Sequence, residues 1–298
     1  MQTRRYKVLI ASLSIVSNAL LVALKIAVGI AMGSISVVSE ALHSGVDVIA
    51  AIVATVGVQR SSEPADQSHR FGHGKFENLS GLIQAMLILF AAAWIVYRAV
   101  FKLMHPSAVE TLGIGVLIML VSSIVNFCMG FLLLHGAKKT NSVALKADAW
   151  HCLTDVYTSL GVMLGLAVMW AGSTWFPHVD LSWVDPVVAM AVAMLIVKAA
   201  WDLGLESARD LLDVSLPIDE ENAIRKLLSE KYPEAIDCHK FRGRKSGGMR
   251  FVEFHIRVDP AMSVEKSHAL CHNIDAEIKR HFPDTDVMVH IEPKKVQK

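Results

Sequence analysis

The sequence predicts an all-α domain of six transmembrane helices followed by a small α+β domain of αββαβ order, ferredoxin-like without its first strand. Three observations predict it. Six apolar runs, at roughly 8–32, 35–58, 79–103, 112–135, 143–171 and 184–205, each hold the ~20 residues that a helix needs to cross a bilayer. After about residue 206 these runs stop, and short segments follow the two-residue period of strands or the 3.6-residue period of helices. Across the 298 residues, 53% are hydrophobic and the mean hydropathy is +0.43, too apolar for a water-soluble protein of this size. The expected domains are 1–206, in the membrane, and 207–298, in the cytoplasm.

The first run follows Arg4, Arg5 and Lys7 and is about 24 residues long, a span rather than the short apolar core of a cleaved leader. Charge then alternates along the connections. The N-terminus, the 59–78 loop (Arg60, Arg70, Lys75) and the 136–142 loop (Lys138, Lys139) are basic, whereas 33–34 and 172–183 have no Lys or Arg. Lys102, near the 104–111 connection, is a mild exception. By the positive-inside rule both termini are cytoplasmic, which in a bacterium makes this a multi-pass protein of the inner membrane. A net charge of +1 offers no basic surface for a nucleic acid. Cys128, Cys152, Cys238 and Cys271 form no disulfide or CxxC pattern, which fits a reducing compartment for the soluble part.

In the second domain, Asp219 to Lys231 carries Ala223, Ile224, Leu227 and Leu228 at helical spacing. A short segment, 235–242, follows, with His239 at its end and a turn at Lys245-Ser246-Gly247-Gly248. Phe251 to Asp259 alternates Val252, Phe254, Ile256 and Val258 against Glu253, His255 and Arg257. Val264 to Phe282 is amphipathic through Cys271, Ile274 and Ile278, and Asp286 to Pro293 turns Val287, Val289 and Ile291 inward. Some 90 residues bury only a marginal core, which dimerisation would support.

Three constellations carry chemistry. The first is repeated: Glu40-Ala41-Leu42-His43-Ser44-Gly45-Val46-Asp47 in the second run and Asp148-Ala149-Trp150-His151-Cys152-Leu153-Thr154-Asp155 in the fifth. Each reads acid, two residues, His, three residues, Asp, so His and Asp share a helix face one turn apart. An acid at mid-membrane costs roughly 2.5–3.5 kcal/mol on insertion scales, and a bound cation offsets that cost. His43, Asp47, His151 and Asp155 supply two imidazoles and two carboxylates, the ligand set of one tetrahedral divalent ion. The alternative is buried polar contact between helices. Glu40 and Asp148 are either entry-path groups or solvated helix ends.

The second is Asp66, His69 and His73 in the 59–78 loop, compact enough for three ligands to meet, though a loop with two His is also commonly just solvated. The third lies on the polar faces of the C-terminal domain: His239, His255, His290 and Glu292 on strands, and His268 and His272 four apart on the helix. It reads either as a metal site or as a His-rich surface. Of the remaining membrane polars, Asn18 and Asn126 suit interhelical hydrogen bonds better than ligation, and Lys198 with Asp202 form an i,i+4 pair near a helix end.

At these residues the chain resembles the cation diffusion facilitators, over nearly its whole length. The His-x3-Asp pairs of spans two and five and Phe71-Gly72-His73-Gly74-Lys75 before span three are the specific marks. The resemblance implies a metallochaperone-like cytoplasmic domain and a homodimer. It implies a transport site of His43, Asp47, His151 and Asp155, and a loop site of Asp66, His69 and His73. It further implies a binuclear cytoplasmic site of His239, His255, His268, His290 and Glu292 at the dimer interface. Lys75 and Asp213 match a salt bridge that helps hold the membrane halves together at the dimer. Members with His at the position of His43 tend to favour zinc, and those with Asp there admit other cations. Glu292 stands where Asp is found in the family, one methylene longer.

The expected function is divalent metal efflux, zinc leaving in exchange for protons by alternating access, with Zn2+ also a structural ion. Ferrous iron (Fe2+), Cd2+, Co2+ or Mn2+ are alternatives on the same fold. An enzyme is not expected, since no His-Glu-x2-His helix or set of His boxes is present. A membrane metal sensor or scaffold without transport is the reading from another class.

Overall fold

The computed structural model describes residues 2–32, 35–104, 114–157, 160, 183–235 and 237–294. The chain divides into two compact units, Met1–Ala208 and Arg209–Lys298.

Among the described residues the elements of the first unit are all helices: α1 (Gln2–Met32), α2 (Ile35–Ser61), α3 (Lys75–Met104), α4 (Ile114–Thr140), α5 (143–157) and α6 (Val184–Leu211). Within three of them Arg5–Val28, Lys75–Phe101 and Leu120–Thr140 are long and apolar enough to cross a bilayer, while Val48–Ser61 of α2 is a shorter apolar stretch. The fifth expected run is helical as far as 157, and most of its remainder lies outside the described residues. The loops are shorter than the apolar runs suggest. The helix α4 continues to Thr140, so the basic connection shrinks to Asn141 and Ser142. Lys138 and Lys139 then sit in the last turn of α4, where cations complement the helix dipole. Asn141 takes φ 49°, and the Ser142 hydroxyl accepts the Leu145 N–H to start α5.

Packing in this unit mixes polar with apolar, largely small, side chains inside and leaves many large apolar ones outside. The buried stripe of α1 runs Lys7, Ala11, Ser14, Asn18, Leu21 and Lys25, alternate steps of four and three, with Ile10 beside it, while Leu9, Leu13, Val16 and Leu20 face outward. Lipid satisfies apolar side chains as well as protein does, so helices associate through close approach and hydrogen bonds instead. Small residues permit that approach: a Cβ at Gly57 would lie 2.2 Å from Ser80 Oγ, and one at Gly130 3.0 Å from Leu153. On α5, Ala144, Leu145, Ala149 and Cys152 pack with α1, α2 and α4, and Ala147 packs with α3 and α6. Helix α5 therefore lies in the middle of the bundle.

The second unit is α7 (Ile218–Lys231), β1 (Asp237–Ser246), β2 (Met249–Val258), α8 (Val264–His281) and β3 (Thr285–Pro293), the expected order. The sheet order is β1-β2-β3, antiparallel then parallel. Acids Asp219, Glu220 and Glu221 open α7, and Ser263 caps α8 by accepting the Lys266 N–H at 3.3 Å. Val252, Phe254, Ile256 and Val258 meet Ile224 and Leu228 of α7 and Leu270, Ile274 and Ile278 of α8 in one core. Both helices thus cover one face of the sheet.

The segment expected at 235–242 is longer: β1 extends to Ser246, and His239 stands near its start rather than its end. The strand persists through Arg242, Arg244 and Lys245 because their backbones pair with Glu253, Phe251 and Arg250 of β2, and ladder bonding needs no apolar alternation. A bulge between His239 and Arg242, with Lys240 at φ 50°, breaks the register there.

Candidate metal sites

Half of the expected transport quartet is described with its side chains, and it sits on α5. His151 is 5% exposed, and Asp155, one turn on, is half-buried on the same side of the helix. Asn126 of α4 donates from Nδ2 to Asp155 Oδ2 at 3.2 Å, which fixes that carboxylate from a neighbouring helix. Asp148, a turn before His151, is fully buried and is therefore not a solvated helix end. His43 and Asp47 are one turn apart on α2, as their spacing requires. Their side chains, and that of Glu40, lie outside the described residues. Ser44 between them is buried and accepts from Lys25 Nζ of α1 at 2.6 Å.

The loop between α2 and α3 brings Asp66, His69 and His73 together, with one donor atom of each within 4.8 Å of the others. The loop turns back on itself: the Asp66 N–H reaches His69 O, and Gly72, at φ 81°, donates to the same carbonyl. The Asp66 carboxylate is 3.5 Å from His73 Nε2 and 3.8 Å from His69 Nδ1. The Ser68 hydroxyl and then the His69 backbone N–H hold the Asp66 pKa down to about 2, against some desolvation. This carboxylate is ionised wherever the protein is folded near neutrality, as a cation ligand must be. His73 is the buried member, its Nδ1 3.2 Å from Pro64 O, a contact that orients the ring and leaves Nε2 toward Asp66.

In the second unit the sheet itself makes the site. Register sets His239 opposite His255, His255 opposite His290, and Arg257 opposite Glu292, all on the face that the helices leave open. The row of three imidazoles has ring centroids 5.5 and 4.4 Å apart. Glu292 reaches back across it: Oε1 lies 2.7 Å from His255 Nδ1, and Oε2 3.2 Å from His239 Nε2. Donor atoms of His239, His255 and Glu292 fall within 4.8 Å of one another. The His255 hydrogen bond holds the Glu292 pKa down to about 2, with Lys240 assisting and burial opposing. His290 lies against His255 beside this group, its ring tilted by 44°. His268 is placed elsewhere in the single chain. It lies on α8, which covers the opposite face of the sheet, and its Nε2 is 3.1 Å from that of His272. Asp213 accepts from Arg244 Nη1 at 3.1 Å within this unit, and Lys75 opens α3 in the other.

Two polar anchors escaped the sequence reading. Glu77 is buried at the start of α3, where Lys7 Nζ lies 3.4 Å away and Ser61 Oγ donates at 3.2 Å, tying α1, α2 and α3 together. Its partners are 70 and 16 residues distant, and no local pattern pairs them. The other is the Asn126–Asp155 bond, of which only the interhelical character of Asn126 was legible. Among the described residues, Cys128, Cys152, Cys238 and Cys271 form no disulfide.

Residues 11–212 match the cation efflux transmembrane domain, and residues 216–294 match the cation efflux protein, cytoplasmic domain. The chain is 30% identical over 299 residues to the cation-efflux pump FieF of Shewanella oneidensis, covering 99% of this chain and 98% of that one. It is 31% identical over 261 residues to the uncharacterized transporter sll1263 of Synechocystis sp., covering 88% and 82%. The metal-bound C-terminal domain of the CzcD transporter from Thermotoga maritima is 34% identical, covering 27% of this chain and 94% of that one, with a TM-score of 0.25.

Proposed function

We propose that this chain, which belongs to the cation efflux family and is a membrane transporter of divalent cations rather than an enzyme, exports zinc in exchange for protons by alternating access. The observation that carries this reading is the pair His151 and Asp155, an imidazole and a carboxylate one turn apart on the central helix of a bundle whose outer surface is apolar. His43 and Asp47 complete the site from α2, where they hold the same one-turn spacing. Two nitrogens and two oxygens without thiolate suit zinc, cadmium or ferrous iron and disfavour Cu(I). His at position 43 favours zinc within that set, by the resemblance.

The exchange follows from ligand chemistry. A divalent ion needs neutral imidazoles and ionised carboxylates, so metal and protons compete for the same lone pairs. Transport then requires that the quartet prefer metal when open to the cytoplasm and protons when open to the far side. Asn126 keeps Asp155 turned toward the bundle through the cycle. The protein works as a homodimer in the bacterial inner membrane with both termini cytoplasmic. Lys75 and Asp213 pair at the dimer, and the binuclear site of His239, His255, His268, His290 and Glu292 closes between two cytoplasmic domains. His268, remote from the sheet cluster in one chain, joins from the partner's side in that arrangement. The loop ligands Asp66, His69 and His73 hold a further ion.

The test is uptake by proteoliposomes of the purified protein across zinc, cadmium, ferrous iron, cobalt and manganese, each with and without an imposed pH gradient. Zinc uptake should be fastest and should rise severalfold when protons can flow outward against it. A faster rate for another metal overturns the zinc assignment. Indifference to the gradient overturns antiport. No uptake of any metal by the folded protein supports the sensor or scaffold reading instead, and full uptake after loss of the quartet overturns the quartet as the transport site.

A further inference from the structure

Helices α5 and α6 enclose a groove of about 470 Å³ that lies off the candidate transport site. Its lining residues on α5 are Lys146, Trp150, Thr154 and Tyr157, a single stripe. His151 and Asp155 fall roughly 100° or more around the helix from the middle of that stripe, at ~100° per residue. The groove has a polar end and an apolar end. Lys146 forms an ion pair with Glu206 at one end, joined by Asp202 and then Lys198. Moving away from that pair, residue numbers rise on α5 and fall on α6, and the lining becomes Tyr157, Leu195 and Ile196. From Lys146 to Tyr157 is about 16 Å at the helical rise. Tyr157, Leu195 and Lys198 are exposed, so the groove opens outward from the bundle, where the bilayer lies.

We propose that this groove is a lipid site and that its occupant is a phospholipid with a zwitterionic headgroup ending in a primary amine. An acyl chain lies along Tyr157, Leu195 and Ile196, and the headgroup meets the charged end, with Trp150 between the two where aromatic rings favour the membrane interface. Charge selects the headgroup. Two lysines and two carboxylates sum to zero, so a lipid of net negative charge gains nothing overall and meets two acids. A phosphate with an ammonium matches both signs at once: the phosphate takes Lys198, and the ammonium donates to Asp202 and Glu206. A trimethylated ammonium has no N–H to donate to those carboxylates, which separates it from the primary amine.

The experiment is native mass spectrometry of the full-length protein released from nanodiscs holding equal amounts of phosphatidylethanolamine, phosphatidylcholine and phosphatidylglycerol with identical acyl chains. The protein should retain phosphatidylethanolamine at least fivefold over either of the others. The double variant Asp202→Asn with Glu206→Gln should reduce that preference to within twofold. Leu195→Trp, which fills the apolar end, should lower retention of all three at unchanged order and keeps the test decisive if the double variant does not fold. Equal or greater retention of phosphatidylglycerol, a preference that survives the double variant, or retention unaffected by Leu195→Trp overturns the proposal. So does a disulfide formed between two copies of Leu195→Cys, which would assign the groove to a second copy of the chain.

Discussion

In Met1–Ala208 the buried stripe of α1 carries Lys7, Ser14, Asn18 and Lys25, and its outward face is leucine and valine. In Arg209–Lys298 the buried face of β2 is Val252, Phe254, Ile256 and Val258, and Glu253, His255 and Arg257 point away from the core. The two units place polarity in opposite senses, and each places its candidate metal ligands where polarity collects. In the first that is the interior, so His151 and Asp155 are shielded and the site suits passage through a membrane. In the second it is an open sheet face, so His239, His255 and Glu292 stand at a surface, where a second copy can close over them. On the proposed function, carrying ions and assembling divide along that line.

Removing a ligand from the shielded site should have the largest effect. Asp155→Ala is expected to lower the initial rate of zinc uptake by proteoliposomes at least 100-fold while the protein still elutes as a folded species. Asn126→Ala should cost less, about tenfold, because it removes the group that orients the carboxylate and not the ligand itself. Uptake near the wild-type rate in Asp155→Ala would place the working interior elsewhere.

The opposed packing can be broken with one substitution made twice. Phe254 is 1% exposed in the sheet core and Phe90 is 72% exposed on the outer face of α3. Phe254→Ala should destabilise the second unit by about 3–5 kcal/mol, read as faster hydrogen exchange across β2 and β3 in the intact protein. Phe90→Ala should change helix packing by less than about 1 kcal/mol, because lipid on either side of the change offers the same apolar surroundings. Similar losses at both positions would mean that the outer face of α3 is covered by protein.

Gly130→Val sharpens the same contrast from inside the bundle. Its Cβ would meet the Leu153 side chain at 3.0 Å and Val adds two methyls beyond it, so Leu153 must shift or α4 and α5 move apart, at a cost of about 1–3 kcal/mol. The change shows as a lowered thermal midpoint in detergent together with slowed uptake, since Asn126 and Asp155 span the same two helices.

The smallest effect concerns pH. Burial opposes ionisation of Glu220, but Arg250 at 2.8 Å and Lys245 at 2.9 Å hold its pKa below the ordinary Glu value of 4.5. A depressed carboxylate stabilises the fold above its unfolded pKa and loses that contribution as pH falls through the folded one. This contribution should therefore be constant from pH 8 to about 5.5 and fade below about 4.5, amounting to about 0.2–1 kcal/mol once solvent screening of these partly buried groups is counted. Chemical denaturation of the wild type and Glu220→Gln at pH 7 and pH 4 checks it: the difference between the two proteins should shrink at the lower pH.

Much of this was legible locally. The alternation of β2 follows from strand geometry alone and reappears as a buried face. Asp66, His69 and His73 lie within eight residues, and a tight loop brings them together. The length of β1 was not legible, because Arg242, Arg244 and Lys245 belong to a strand only through their pairing with β2. Nor were Lys7 with Glu77, Asn126 with Asp155, or Glu292 with His239, separated by 70, 29 and 53 residues.

The order of amino acids by itself determined which residues share a face: His151 with Asp155 by the 3.6-residue turn, and His290 with Glu292 by the two-residue pleat. Only the tertiary structure decided which faces meet. It buried Asp148, turned Asp155 toward Asn126, folded Glu292 back onto two imidazoles of neighbouring strands, and set His268 on the helix side of the sheet. The reason is physical. Periodicity is a property of a few covalent bonds and is written locally, whereas the meeting of two faces depends on packing, register and bulges summed over the whole fold.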